Sequence, residues 1–165
     1  MGTTGPGMTR LVSFGWRMPA RHVWSVLCER AYIDEDSHNL LLSCLEQLNV
    51  SAGAFPSGAD DRPVFISFKH EIVSLWDELG TASLTVRVRV ECPDGTHVNG
   101  QEATITGPGA RRYRLRMKST HFPFRGPGMY FMHVEHQTED GFEIDASLPL
   151  EIVVVPSDAP SSEQG

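Results

Sequence analysis

The sequence predicts an all-β chain folded as an antiparallel two-sheet β-sandwich. Three observations lead there. Short segments with period-two alternation recur roughly every 10–15 residues. Turn chemistry rich in Gly, Pro and Asp separates them. No stretch sustains the 3.6-residue period of a long helix.

Met1 to about Ala20 carries Gly2, Gly5, Pro6, Gly7, Gly15 and Pro19 without a sustained period, so residues 1–20 read as a flexible lead-in. Pro6 stands where an N-myristoylation motif requires Ser or Thr. Val23–Ile33 is the first expected strand, ended by Asp34-Glu35-Asp36-Ser37. Asn39–Val50 is rich in Leu, which fits either a helix or a buried strand, and the short polar turn before it favours a hairpin. Ser51–Arg62 is a loop containing Gly53, Pro56 and Gly58. Pro63–Leu75 alternates through Val64, Ile66 and Phe68, and the acidic piece Trp76 to Gly80 is expected as a single helical turn.

Leu84–Cys92 is the clearest strand. Val86, Val88 and Val90 point to one face and Arg87, Arg89 and Glu91 to the other. Pro93-Asp94-Gly95-Thr96 then makes a tight turn. Val98–Thr106 and Arg111–Thr120 follow, joined by Gly107-Pro108-Gly109, and Tyr113, Leu115 and Met117 oppose Arg112, Arg114, Arg116 and Lys118. Gly126-Pro127-Gly128 precedes Met129–Gln137, and Glu139-Asp140-Gly141 turns the chain into Phe142–Val155. Residues 156–165 are Pro, Ser and acidic, and read as a disordered tail. The outcome is one domain over residues 21–155 with about eight strands, an immunoglobulin-like sandwich in preference to the open barrel that the same pattern allows.

Composition narrows the function classes. A chain of 165 residues is long enough for one domain, and folding can bury on the order of 70% of its unfolded surface without metal or disulfide staples. Apolar residues at 40% and charged residues at 21% are those of an ordinary globular protein. No apolar run approaches the roughly 18 residues that span a bilayer, and the first 25 residues lack a signal-peptide core. Three cysteines without a CxxC argue against a disulfide framework and fit a reducing cytoplasm.

Three stretches carry a resemblance. They are Cys28-Glu29-Arg30-Ala31 with the acidic turn and Leu-rich segment after it, Gly126-Pro127-Gly128-Met129-Tyr130-Phe131, and Leu148-Pro149-Leu150-Glu151-Ile152. Together they resemble an uncharacterised bacterial β-sandwich family, a domain of unknown function with CxxA and PGxY strand motifs. Met132 stands where that pattern has Phe, and Ile152 where it has Val. Both replacements are apolar. The resemblance covers about residues 23–155 and implies a β-sandwich; it implies no catalytic residue.

The chemistry-bearing residues point the same way. Cys28, Cys44 and Cys92 lie in or beside strands among apolar neighbours and are expected as small core residues. No G-x-S-x-G elbow, phosphate loop or HExxH motif occurs. His133 and His136 are three apart, which on a strand sends them to opposite faces, and His38 and His97 fall in or beside turns. If every segment crosses the molecule once, Asp34-Glu35-Asp36, Trp76-Asp77-Glu78 and Glu139-Asp140 share one end, with Asp60-Asp61 and Asp94 at the other. Such an end offers the oxygens that Ca²⁺ takes, although no loop carries a calcium pattern. Solvated turns account for the same carboxylates.

Charge is uneven. Residues 81–120 hold seven Lys/Arg against three Asp/Glu, a local +4 within a net charge of −7. Arg87, Arg89, Arg112, Arg114, Arg116 and Lys118 occupy the outward positions of two strands and are the expected partner-binding residues. An outer face paired with Glu102, Glu143 or Asp145 is the structural alternative. Aromatic interleaving is nearly absent there, which disfavours nucleic acid and favours another protein as partner.

The expectation is therefore a cytoplasmic, non-enzymatic interaction or accessory module without cofactor or metal. A Ca-dependent or nucleic-acid-binding module, or an enzyme with an unrecognised site, are the alternatives. Partner identity and oligomeric state are not encoded in any motif.

Overall fold

The computed structural model describes residues 20–36, 39–54, 64–77, 83–106 and 111–156. The expected lead-in, the tail, Gly107-Pro108-Gly109, His38, Asp60, Asp61 and Glu78 lie outside them, apart from Ala20 and Pro156. The described residues form nine strands: β1 Arg21–Ile33, β2 Leu40–Cys44, β3 Gln47–Ser51, β4 Val64–Asp77, β5 Ser83–Glu91, β6 His97–Thr106, β7 Arg112–Phe124, β8 Gly128–Thr138 and β9 Gly141–Val155. A 3-10 turn, Ala52–Ala54, follows β3. Among the described residues no helix is long and apolar enough to cross a membrane.

The strands make two sheets, ordered β2-β1-β4-β7 and β3-β9-β8-β5-β6. One apolar cluster draws on both. Leu27, Ile72, Trp76, Leu115, Met117 and Phe122 come from the first sheet, and Val86, Val88, Val90, Ile105, Tyr130, Met132, Val134, Leu150 and Ile152 from the second. The alternation expected for β5 is realised, with Leu84, Val86, Val88 and Val90 buried between half-exposed Thr85, Arg87, Arg89 and Glu91. A second, smaller cluster of Cys28, Ala31 and Val73 packs with Trp24, Leu40 and Leu42.

Two sequence expectations are corrected. Trp76 and Asp77 form no helical turn: they end β4, paired with Tyr113 and Arg112, and Trp76 is fully buried. The Leu-rich segment Asn39–Val50 is two strands in different sheets. β2 pairs antiparallel with β1, whereas β3 pairs parallel with β9. The chain changes sheets at Leu45-Glu46, anchored by Leu45 N donating to Leu27 O (3.1 Å) and by Glu46 O accepting from Glu151 N (2.9 Å).

This doubling back breaks the expected grouping of acidic loops. β3 returns the chain to the end that β1 reached, so Asp34–Asp36 lies at the end of Asp94, opposite the Glu139-Asp140 turn. Asp77 is a buried strand residue held by Arg21 at 3.2 Å. The Ca²⁺ alternative loses its geometry.

Candidate functional site

The six expected partner-binding residues divide between two sheets. Arg112, Arg114, Arg116 and Lys118 lie on β7, the last strand of the four-stranded sheet, opposite Asp77, Leu75, Val73 and Glu71 of β4. Arg87 and Arg89 lie on β5, in the five-stranded sheet. They do not form one surface.

On β7 the fates differ. Arg116 is firmly tied: its Nε donates to Glu71 Oε2 at 2.9 Å, its Nη2 reaches both Glu71 oxygens at 2.8 and 3.0 Å, and Nη2 also donates to Ala31 O. Glu71 Oε1 accepts from Ala31 N at 3.0 Å. Burial would raise the Glu71 pKa, but the Ala31 amide and the Arg116 guanidinium outweigh it and hold it below the ordinary value. Arg112 has a looser contact, Nε to Asp77 Oδ1 at 3.6 Å. Arg114 and Lys118 are exposed, and Arg114 makes no ion pair among the described residues.

On β5 both guanidinium groups converge on one carboxylate. Arg87 Nε donates to Glu135 Oε2 at 2.6 Å and Arg89 Nε to Glu135 Oε1 at 2.7 Å. Glu135 is 1% exposed. Burial opposes its ionisation, and the two arginines overcome that cost, so its pKa is lowered. Arg87 also lies over the Phe142 ring at 3.7 Å. Glu102 stands opposite Arg87 in register, yet Arg87 turns to Glu135; Asp145 pairs instead with His136 at 2.8 Å.

The same outer face carries a hydrogen-bonded chain. His133 Nδ1 lies 2.9 Å from Ser147 Oγ and its Nε2 lies 2.9 Å from Glu91 Oε2. His136 faces the other way, its ring 6.0 Å from that of Trp76, so the two histidines do fall on opposite faces. His97 opens β6, with its ring 6.4 Å from that of His133. Among the described residues no group of three or more His, Cys, Asp or Glu is arranged to hold a metal ion. Cys28 and Cys92 are buried as expected, but Cys44 is exposed, because it ends the edge strand β2.

Sequence reasoning missed a cavity. It has a volume of ≈180 Å3 and is lined by Ile72, Val88, Val90, Met117, Phe122 and Met132, with His70, Asn99, Gly100, Gln101, Ser119 and His121 also on its wall. Two β-bulges border it. On β4, Phe68 and Lys69 stand against Thr120 alone, and across this slip the inward positions of β7 change from Leu115 and Met117 to Phe122 and Phe124. On β6, Gly100 and Gln101 stand against Val88 alone, and the inward positions change from Val98 to Ala103 and Ile105. A bulge locally breaks the ladder and bends the strand, which opens room beneath it. Gly100 is required there: a Cβ would meet Val88 O at 2.9 Å. Gln101 Nε2 donates to Lys118 O and ties β6 to β7 over the cavity.

Inside this wall His70 is 8% exposed, and Nδ1 lies 3.1 Å from Phe68 O. A carbonyl only accepts, so Nδ1 carries the proton and Nε2 is an acceptor. The ring stacks on Phe68 and meets Phe122 edge-on, and burial lowers its pKa toward the neutral form. The lone Gly100 inside a strand pattern was the available signal for a bulge.

No family model matches the chain, and no curated protein matches it either.

Proposed function

We propose that the chain is a non-enzymatic binding module on an immunoglobulin-like β-sandwich, and that its working surface is the basic outer side of β7. Support for the sandwich comes from the single cluster shared by both sheets and from Tyr130. Near the start of β8, the Tyr130 hydroxyl donates to Gly126 O at 2.6 Å and accepts from Arg125 N at 2.9 Å. A tyrosine bonded back to the preceding corner is a hallmark of such domains. The resemblance to the bacterial β-sandwich family points the same way.

One observation carries the functional reading. Arg114 stands exposed without an ion pair among the described residues, between Arg112 and the clamped Arg116, with Lys118 exposed beyond it. On a chain of net charge −7, this row on a sheet-ending strand selects an acidic partner. Trp24 lies on this face in register with Leu75 and Arg114, but it is half-buried against Val73 and offers no row of aromatics for stacking bases, which favours a protein as the partner. The setting is a reducing cytoplasm, in keeping with three free thiols. The Ser147–His133–Glu91 chain lies along paired strands on the side away from the cavity that Val88, Val90 and Met132 line.

The test uses fluorescent poly-glutamate and a 20-nucleotide single-stranded DNA as probes, with anisotropy read at low and moderate salt. Poly-glutamate should bind, weaken with salt, and lose at least about tenfold in affinity in the R112E/R114E/K118E variant. Absence of poly-glutamate binding at low salt would overturn the reading. So would tighter DNA binding with a steep salt slope.

A further inference from the structure

We propose that the cavity between β4, β7, β5 and β6 is a binding site for a small neutral aromatic molecule carrying one hydrogen-bond donor, of the size of phenol. Size is the first argument. A cavity of ≈180 Å3 matches one aromatic ring, since an apolar cavity of about 150 Å3 holds benzene. Lining is the second. Ile72, Val88, Val90, Met117, Phe122 and Met132 offer aliphatic, thioether and ring surface, which favours a flat apolar body.

Polarity makes the third argument and decides the ligand class. Of the polar side chains on the wall, His70 is buried, Ser119 is half-buried, and Asn99, Gln101 and His121 are exposed at the mouth. Ser119 Oγ already donates to His121 O at 2.8 Å, and Gln101 Nε2 donates to Lys118 O. His70 Nδ1 is committed to Phe68 O, which leaves Nε2 as an acceptor without a hydrogen-bond partner among the described residues. A ligand group that meets Nε2 therefore does so as a donor. A hydroxyl or ring N–H satisfies it, whereas a carboxylate brings a charge into an apolar pocket and no proton for Nε2. The burial that keeps the imidazole neutral maintains that acceptor at physiological pH.

The two bulges belong to the same construction. They lie on opposite sides of the cavity, and each changes which side chains of its strand pair face inward. Gly100 has no side chain to fill the gap, and nothing larger than hydrogen fits against Val88 O. Bulges of this kind are common next to functional sites, where they end the regular ladder or re-aim side chains.

The experiment titrates the full chain with phenol, toluene, anisole and benzoate while recording ¹H–¹⁵N spectra. Phenol should produce saturable shifts at Ile72, Val88, Gly100, Met117 and Phe122, and should move the His70 Nε2 resonance. Toluene and anisole, which lack the donor, should bind up to about tenfold more weakly, the value of one hydrogen bond. Benzoate should not bind. In the His70→Phe variant the preference for phenol over toluene should vanish. Shifts that do not saturate with phenol, or equal affinity for phenol, toluene and anisole in the unaltered protein, would overturn the proposal without any variant having to fold.

Discussion

Arg116 and Glu71 form a two-pronged pair whose grip extends to a third strand, because both groups also bond the peptide of Ala31. The pair thus links β7, β4 and β1 across the face that carries the Cys28, Ala31 and Val73 cluster. Glu71 is 7% exposed, so removing Arg116 strands a nearly buried carboxylate. Arg116→Ala should cost about 3 kcal/mol in urea unfolding. Arg114→Glu, two residues away, should change stability by less than about 0.5 kcal/mol. Equal effects of the two would show that the clamp has no structural role.

Acid should unfold the protein through Glu71 and Glu135. Both carboxyls are held below their ordinary pKa in the fold, against the opposing effect of burial. The unfolded chain therefore binds protons first as pH falls. Stability present at neutral pH should be lost progressively as pH falls below about 5, through the ordinary glutamate range and on to the lower values these two carboxyls have in the fold. The Glu135→Gln variant should be less stable at pH 7 and show a flatter decline, as measured by urea midpoints at stepped pH. A decline as steep as that of the unaltered protein would assign the acid sensitivity elsewhere.

Tyr130→Phe tests the corner before β8. It leaves the Arg125 amide and the Gly126 carbonyl without their partner, at a cost of about 1–2 kcal/mol. Burial, with smaller contributions from its neighbours, pushes the Tyr130 hydroxyl up to about 12. The unfolded chain loses that proton earlier, so stability should fall as pH rises past about 10. The variant should lack this alkaline component. A Phe variant as stable as the parent at neutral pH would mean that the corner hydrogen bonds contribute nothing net.

Thiol labelling separates the three cysteines. Cys44 is exposed, whereas Cys28 is buried, donates to Glu71 O at 3.4 Å, and has its thiol pushed up to about 11 by burial and by the Glu71 charge. Cys92 is also buried, and its pKa is raised. At pH 8 an aromatic disulfide reagent should label one thiol quickly in the folded protein and all three in urea. Rapid labelling of two or three thiols would contradict the packing of β1 or of the turn after β5.

Local alternation made β5 and most of β7 readable, because period two is written into adjacent residues and both faces were occupied by clearly different types. The destination of the arginines was not readable. Glu135 and Glu71 lie more than forty residues from the arginines they bind, and such pairing depends on register across strands. Leu45-Glu46 contains neither Gly nor Pro, so the change of sheet left no turn signal. That omission alone moved Asp34–Asp36 to the wrong end. Of the cavity, Gly100 was visible as an unusual strand residue, but the partner bulge at Phe68-Lys69 has no compositional mark.

The parallel pairing of β3 with β9 has a consequence for the birth of the protein. Leu48 and Val50 pair in register with Ile152 and Val154, about a hundred residues later in the chain. On a ribosome that adds about 5–20 residues per second, β3 waits several seconds for its partner. Through that interval its apolar side chains have no finished sheet to join. Loss of the last strand would leave β3 and β8 with unsatisfied edges, the kind of surface that draws chaperones and aggregates. β9 therefore completes this sheet only long after β3 has been made, and a stop codon before Leu148 should yield a product cleared by proteolysis rather than a shortened domain.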